Sequence, residues 1–250
     1  FDAGETHAYT IVITANAGDA TGSTAEEFNK INNATSVAVN MNTVTALTAS
    51  GLSAVNTLAL AVAGGQFSNG GNLTTVAISD NTIDAGALAT AIDNLDAING
   101  GSSTDMTLAS GATINVDADE ITHMLLDETE NRLDITDQKI TVTNDITAAT
   151  AKLLAETTTG TVTATIANTE RVSALKLLPA ENNAFTIVIN ALDATSSTAT
   201  ELNTIDAATT VAVNATAVTG LASDNIDDIL TVLTAGNNVA KFTATSFSNL

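Results

Sequence analysis

Three carboxylates crowd one short stretch of this chain. Asp117, Asp119 and Glu120 fall within the four residues DADE. Calcium takes about six to eight oxygen ligands, usually carboxylates and carbonyls gathered in a turn. This stretch is therefore the candidate metal site, and calcium is the expected cofactor. Two looser acidic pairs accompany it, Asp80 with Asp84 and Asp134 with Asp137. A plainer account competes at every one of these places. Acidic residues in a first helical turn accept hydrogen bonds from unpaired backbone N–H groups and favour the positive end of the helix dipole. None of the stretches matches a full EF-hand loop.

Other chemistry has less to stand on. The chain has two histidines and no cysteine. His7 lies in GETHAY, near Asp2 and Glu5, and His123 lies in DEITHMLLDE. Zinc binding or acid–base catalysis needs converging groups, which two distant histidines do not supply. There is no G-x-S-x-G elbow and no phosphate-cradling glycine loop. The glycine pairs 64–65 and 100–101 follow helical patterns and read as helix stops. No catalytic residue is assigned, and the chain is not expected to be an enzyme.

Charge narrows the partners. The formal net charge is −21, from 28 acidic and 7 basic residues. Phosphate neutralisation needs clustered Lys and Arg, so nucleic acid is excluded as a partner. An anionic membrane surface is disfavoured for the same reason. No apolar run approaches the length of a bilayer span, and Leu58–Ala63 is the best of a poor set. Hydrophobic residues make up 44% of the chain, enough for a core, but aromatics only 3%. Small and β-branched residues suit thin stacked layers better than the core of a large enzyme.

The elements that would position these residues come in repeated form. Residues 195–221 read TSSTATELNTIDAATTVAVNATAVTGL, and residues 21–47 read TGSTAEEFNKINNATSVAVNMNTVTAL. Roughly 16 of about 27 aligned positions are identical, the mark of an internal repeat. Short alternating stretches alternate with helical ones. The strands are expected around Ile11–Ile13, Val37–Val39, TTVAIS, TINVDA, KITVTN, TVTATIA, FTIVIN and TVAVNA. Helices are expected at AEEFNKI, Ser50–Ala63, AGALATAIDNLDAI, DEITHMLLDETE, ITAATAKLLAET, TERVSALKLL, STATELNTI and DNIDDILTVL. Ser23 or Thr24 offers a capping box with the glutamate three residues on. Asp84 and Ser223 stand at N-caps, Pro179 ends a helix, and Gly236 is read as the last stop. Gln66–Asn72 reads as a loop, and the tail KFTATSFSNL as a possible ninth strand.

Strands alternating with helices imply parallel pairing. The fold expected is α/β, an elongated solenoid of about eight strand-turn-helix repeats with one parallel sheet. An all-β parallel β-helix is the alternative. Residues 1–250 read as a single repeat array. The first residue is Phe rather than Met, which reads as a processed chain or an excerpt of a longer one. Inward positions hold Val76, Ile78, Ile114, Val116, Ile140 and Val142, and Asn or Asp recurs just past the strands at Asn40, Asp80, Asp117, Asn144, Asn190 and Asn214.

The run Leu202-Asn203-Thr204-Ile205-Asp206, followed by Val211-Ala212-Val213, resembles the repeats of giant Thr/Ala/Asp-rich exported surface proteins of bacteria, particularly marine cyanobacteria. The likeness is good over residues 195–221, fair over 21–47, and a matter of pattern elsewhere. It implies a piece of a cell-surface or S-layer-like assembly, or of a large adhesin, located outside the cell. The Gly-rich calcium nonapeptide common in exported proteins is missing, so that mode of calcium binding is not implied.

The function expected is thus a structural or interaction module of an extracellular layer or fibre, with cations assisting. Its partners would be copies of itself, neighbouring repeats or surface glycans. Because the first and seventh units are near copies, head-to-tail association is expected, promoted by calcium against the charge repulsion. The alternatives are a glycan-binding adhesin module and a carbohydrate-active enzyme on a solenoid scaffold. One Tyr, six Phe and no Trp argue against the enzyme, which would want aromatic sugar platforms.

Overall fold

The structure is a computed structural model that describes residues 7–13, 23–68, 73–99, 104–180, 182–222, 224–238 and 242–243. It is a mixed α/β fold with parallel sheets, eight α-helices among the described residues and no closed barrel. The helices rule out the all-β alternative. The chain divides into two compact units. The first comprises the described residues up to Ile114 together with Asp119–Ile135, and the second comprises Asn115–Ala118 and the described residues from Thr136 onward.

In the first unit the order is α1 (Ala25–Asn33), β1 (Val39–Asn40), β2 (Ala46–Ser50), α2 (Leu52–Ala63), β3 (Phe67–Ser68), β4 (Thr75–Ile78), β5 (Thr82–Asp84) and α3 (Ala85–Ile98). Then come β6 (Asp105–Thr107), β7 (Thr113–Val116), whose last two residues belong to the second unit, and α4 (Ile121–Thr129). β1 pairs in parallel with β3, and β2–β4–β6 form a separate three-stranded parallel sheet. The single sheet expected is therefore several short ones. Strands of two to five residues are interrupted by tight turns such as the one at Asn40, whose Oδ1 accepts from the Asn42 N–H at 3.0 Å.

Sequence patterning foresaw α3 to the residue: Asp84 caps it, accepting from the Ala87 N–H at 2.8 Å, and Leu88, Ala91, Ile92 and Leu95 are buried. Burying each large aliphatic side chain there contributes about 1.5–3 kcal/mol. The capping box of α1 uses Thr24 and Glu27 rather than Ser23 and Glu26. Of the stretch Gln66–Asn72, residues 69–72 lie outside the described residues, and Phe67–Ser68 is strand rather than loop. Phe67 lies in β3, 3% exposed, with its ring edge-on to Phe28, centroids 6.4 Å apart. That apolar contact draws Phe67 into a strand. Strands β5 and β6 escaped the pattern because each is three residues with a single apolar position, and the five-residue β2 because ALTAS lacks a clean alternation.

The second unit holds β8 (Lys139–Val142), α5 (Ala148–Thr157), β9 (Val162–Thr165), α6 (Val172–Leu175), β10 (Ala184–Thr186) and a 3-10 turn at Ala191–Asp193. It continues with α7 (Ala199–Ala207), β11 (Val213–Asn214), α8 (Ile226–Asn238) and β12 (Phe242–Thr243). β8–β9–β10 are parallel neighbours in that order, and β11 pairs with β12, the strand expected of the tail. Phe185, Ile187, Leu202, Ile205 and Val213 are at most 1% exposed and form the core. The helix expected over TERVSALKLL shrinks to the four residues of α6, with Leu175 and Leu178 buried and Leu177 exposed. Gly236 does not stop α8, which runs on to Asn238. A glycine inside a helix costs about 1 kcal/mol, which continuing hydrogen bonds can absorb. The Ser223 cap, the glycines 100–101 and most of the tail lie outside the described residues.

Candidate functional site

Several of the acidic residues serve helix termini. The first N–H groups of any helix lack partners within it. α2 starts after Gly51, whose side chain can supply none. The Glu26 carboxylate of α1 accepts from the Gly51 N–H at 2.8 Å, and Asp80, beyond β4, accepts from the Leu52 N–H at 2.7 Å. In the second unit Asp193 accepts from the Val172 N–H of α6 at 3.0 Å, and Asp224 from the Thr200 N–H of α7 at 2.7 Å. A carboxylate from the following strand-helix segment thus seats on the helix before it, three times over. Arg171 holds the Asp193 carboxyl below its usual range by hydrogen bonding, with the Val172 N–H assisting. The Thr200 N–H and hydroxyl do the same to Asp224. Burial pushes Glu26 up, but the Gly51 N–H and other donors bring it below its usual value.

The carboxylates of DADE turn to different neighbours. Asp117 accepts a hydrogen bond from the Thr143 hydroxyl. Asp119 is exposed. Glu120 stands at the N-cap of α4 without making a side-chain cap bond there. Its Oε1 instead lies 2.5 Å from where a Cβ on Gly86 would be, with Asp84 Oδ1 3.4 Å from the same point. Asp134 and Asp137 are exposed, and Asp137 accepts from the Gln138 amide. Among the described residues no group of three or more His, Asp or Glu side chains is arranged to hold a metal ion.

His7 packs against Tyr9, ring centroids 5.1 Å apart. His123 belongs to an ion cluster that sequence reading missed. Asp127, on α4, is 1% exposed and sits 3.3 Å from His123 Nδ1 and 2.6 Å from an Arg132 terminal nitrogen. Arg132 also reaches Asp96 of α3 at 3.0 Å and Glu130 at 3.0 Å. Burial pushes the Asp127 carboxyl above its ordinary value against the pull of Arg132 and His123. The Arg132 carbonyl receives the Met106 N–H at 2.9 Å, so the cluster ties α4 to α3 and β6. A buried ion pair specifies an arrangement more than it stabilises one. No periodicity announces it, because its members belong to no repeated position.

A second set of polar residues was also missed, although the repeat carried its signal. Thr35, Thr104, Thr158 and Thr209 are at most 6% exposed; Thr35, Thr158 and Thr209 sit within two residues of a helix end, and Thr104 immediately precedes β6. Each hydroxyl donates to a carbonyl of the preceding segment: Thr35 to Tyr9 at 2.8 Å, Thr104 to Leu73 at 3.1 Å, Thr158 to Gln138 at 2.6 Å and Thr209 to Phe185 at 2.8 Å. Thr35 and Thr209 occupy the same place in the two aligned copies. Grooves open at these corners. The larger, in the second unit, encloses about 810 Å³ beside Thr157–Thr161 and Asn183. The smaller, in the first unit, encloses about 350 Å³ beside Asn32, Thr35 and Gln66.

Among the described residues no helix is long and apolar enough to cross a membrane. No family model, no curated protein and no solved structure matches the chain.

Proposed function

We propose that the chain is a solenoid of strand-helix segments and that it serves as a structural and interaction module of an exported bacterial surface protein, in an extracellular layer or fibre. One recurring step supports this reading above the others. The fifth residue of α1, α2 and α7 is an asparagine, Asn29, Asn56 and Asn203. Each donates its side-chain amide to the carbonyl of the third residue of the following helix: Ala54 at 2.9 Å, Ala87 at 3.3 Å and Asp228 at 3.2 Å. A bond repeated at equivalent positions is how neighbouring units of an array hold register. The carboxylates seated on preceding helices run in the same direction. A chain whose polar side chains are spent joining neighbours resembles a spacer more than a catalyst.

Copies of the chain, or further repeats, are the partners in this reading. Calcium enters as the cation that offsets the charge of −21, with Asp117, Asp119 and Glu120 as the place to look for it. Light scattering with millimolar calcium, against sodium chloride at matched ionic strength, tests the assembly. Growth in mass with calcium is expected. A chain that stays monomeric at high concentration in both solutions overturns the assembly reading. Small-angle scattering tests the solenoid itself. A compact chain of this length has a radius of gyration of about 18 Å, and a value that small for a monomer would rule out an extended array.

A further inference from the structure

The corner groove of the second unit has a donor and acceptor pattern that selects a ligand. We infer that it binds neutral carbohydrate. Its volume of about 810 Å³ falls in the range of small-ligand sites. Three alanines line it, Ala155, Ala180 and Ala207, and leave room for the C–H face of a sugar ring close to the backbone.

The polar groups decide the chemistry. The hydroxyl protons of Thr157 and Thr159 are already committed to the carbonyls of Leu153 at 2.9 Å and Thr136 at 3.0 Å, while buried Thr158 both donates to the Gln138 carbonyl at 2.6 Å and accepts the Gly160 N–H at 3.0 Å. A threonine that has given its proton to the backbone can only accept from a ligand. Asn183 supplies the opposite. It lines the groove, is 1% exposed, and its Oδ1 takes the Val162 N–H at 3.0 Å, while its Nδ2 has no hydrogen-bond partner. A buried amide left unpaired costs about 1–3 kcal/mol unless something pairs it. The matching ligand donates to the Thr157 and Thr159 oxygens and accepts at one point, as neighbouring sugar hydroxyls do.

Charge excludes the neighbouring classes. Glu156 also lines the groove, and the chain is strongly acidic, so an anionic sugar is repelled. A metal ion would satisfy the threonine oxygens but leave the Asn183 amide unmatched. With no aromatic platform the affinity is weak, on the order of 1–10 mM for a hexasaccharide, which a repeated display would multiply. This goes beyond the structural role: the chain can assemble without binding sugar, and bind sugar without assembling.

The test is a nitrogen-15 NMR titration of the whole chain with cellohexaose, maltohexaose and xylohexaose, and with hexagalacturonate as the anionic arm. Saturable shifts are expected at residues 157–161 and at the Asn183 side-chain amide, with hexagalacturonate at least fivefold weaker. Asn183→Asp keeps the acceptor for the Val162 N–H and removes the donor; Thr159→Val, at an exposed position, removes an acceptor without touching the core. Each should weaken binding severalfold. No saturable shift below about 20 mM of any neutral hexasaccharide overturns the assignment. So do shifts scattered over both units, or shifts that Thr159→Val leaves unchanged.

Discussion

A side chain on Gly160 would collide with the backbone carbonyl of Gln138, one segment earlier in the chain. The Lys139 nitrogen is also only 2.9 Å from the position a Cβ would take. The neighbours are backbone and cannot swing aside. Gly160→Ala is therefore expected to destabilise the second unit by about 3 kcal/mol, the upper end for overpacking. Chemical denaturation of the variant checks it. Gly65 provides the control, because a Cβ there meets nothing within 4 Å. Its φ of +75° makes alanine costly for a different reason, strain of about 1–2 kcal/mol.

Thr209 serves three backbone groups. Its hydroxyl donates to the Phe185 carbonyl and accepts from the Phe185 and Val211 N–H groups. Thr209→Val keeps the shape and removes all three bonds. A loss of about 2–4 kcal/mol is expected, since buried groups are left unpaired. Thr210→Val, one residue on at an exposed site, loses only the bond to the Asn183 carbonyl and should cost well under half as much. Equal losses would show that β-propensity or packing, not the corner bonds, sets the value.

Asn29→Ala and Asn203→Ala each remove one amide that joins successive helices. About 1 kcal/mol is expected for each. The two lie in different units, so the double variant should lose the sum to within about 0.5 kcal/mol.

Acid should act with opposite sign at two carboxylates. Asp193 is held below its ordinary value, so its contribution to stability is present above the unfolded value of about 3.9 and is lost as pH falls through the folded value. The stability advantage of the natural chain over Asp193→Asn should shrink on acidification below about pH 4. Asp127 is raised. Its protonated form is favoured in the folded state, so its contribution is fully present below about pH 3.9 and is lost as pH rises through the folded value. The difference between the natural chain and Asp127→Asn should therefore move in favour of the natural chain as pH falls. Arg132, His123, Asp93 and Glu130 all bear on that carboxyl. Thermal unfolding across pH 3 to 7 for both pairs is the measurement, and two differences of the same sign would contradict the assignment.

Local pattern carried much of this chain into view. α3 with Asp84 at its head, the inward Val76, Ile78, Ile114 and Val116, and the turn-forming Asn40, Asn190 and Asn214 were all legible. Each depends on neighbours within a few residues, and helical or strand periodicity records such neighbours directly. The duplicated segment also identified equivalent residues, Asn29 with Asn203 and Thr35 with Thr209, without saying what they do.

What those residues touch was decided only in three dimensions. Asp80 looked like half of an acidic pair with Asp84, yet it caps α2, 28 residues back. Glu120 and Asp117 are three residues apart, yet Glu120 reaches toward Gly86 while Asp117 pairs with Thr143. Asp127, Arg132 and Asp96 are brought together by α3 and α4 and carry no shared spacing. A carboxylate can accept from a helix end, an arginine or a cation with equal readiness, so residue type by itself does not choose among them. The choice falls to whichever unpaired donor the packing of successive segments brings within hydrogen-bond reach, and that distance depends on how the backbone returns across 20 or more residues, which no local pattern encodes.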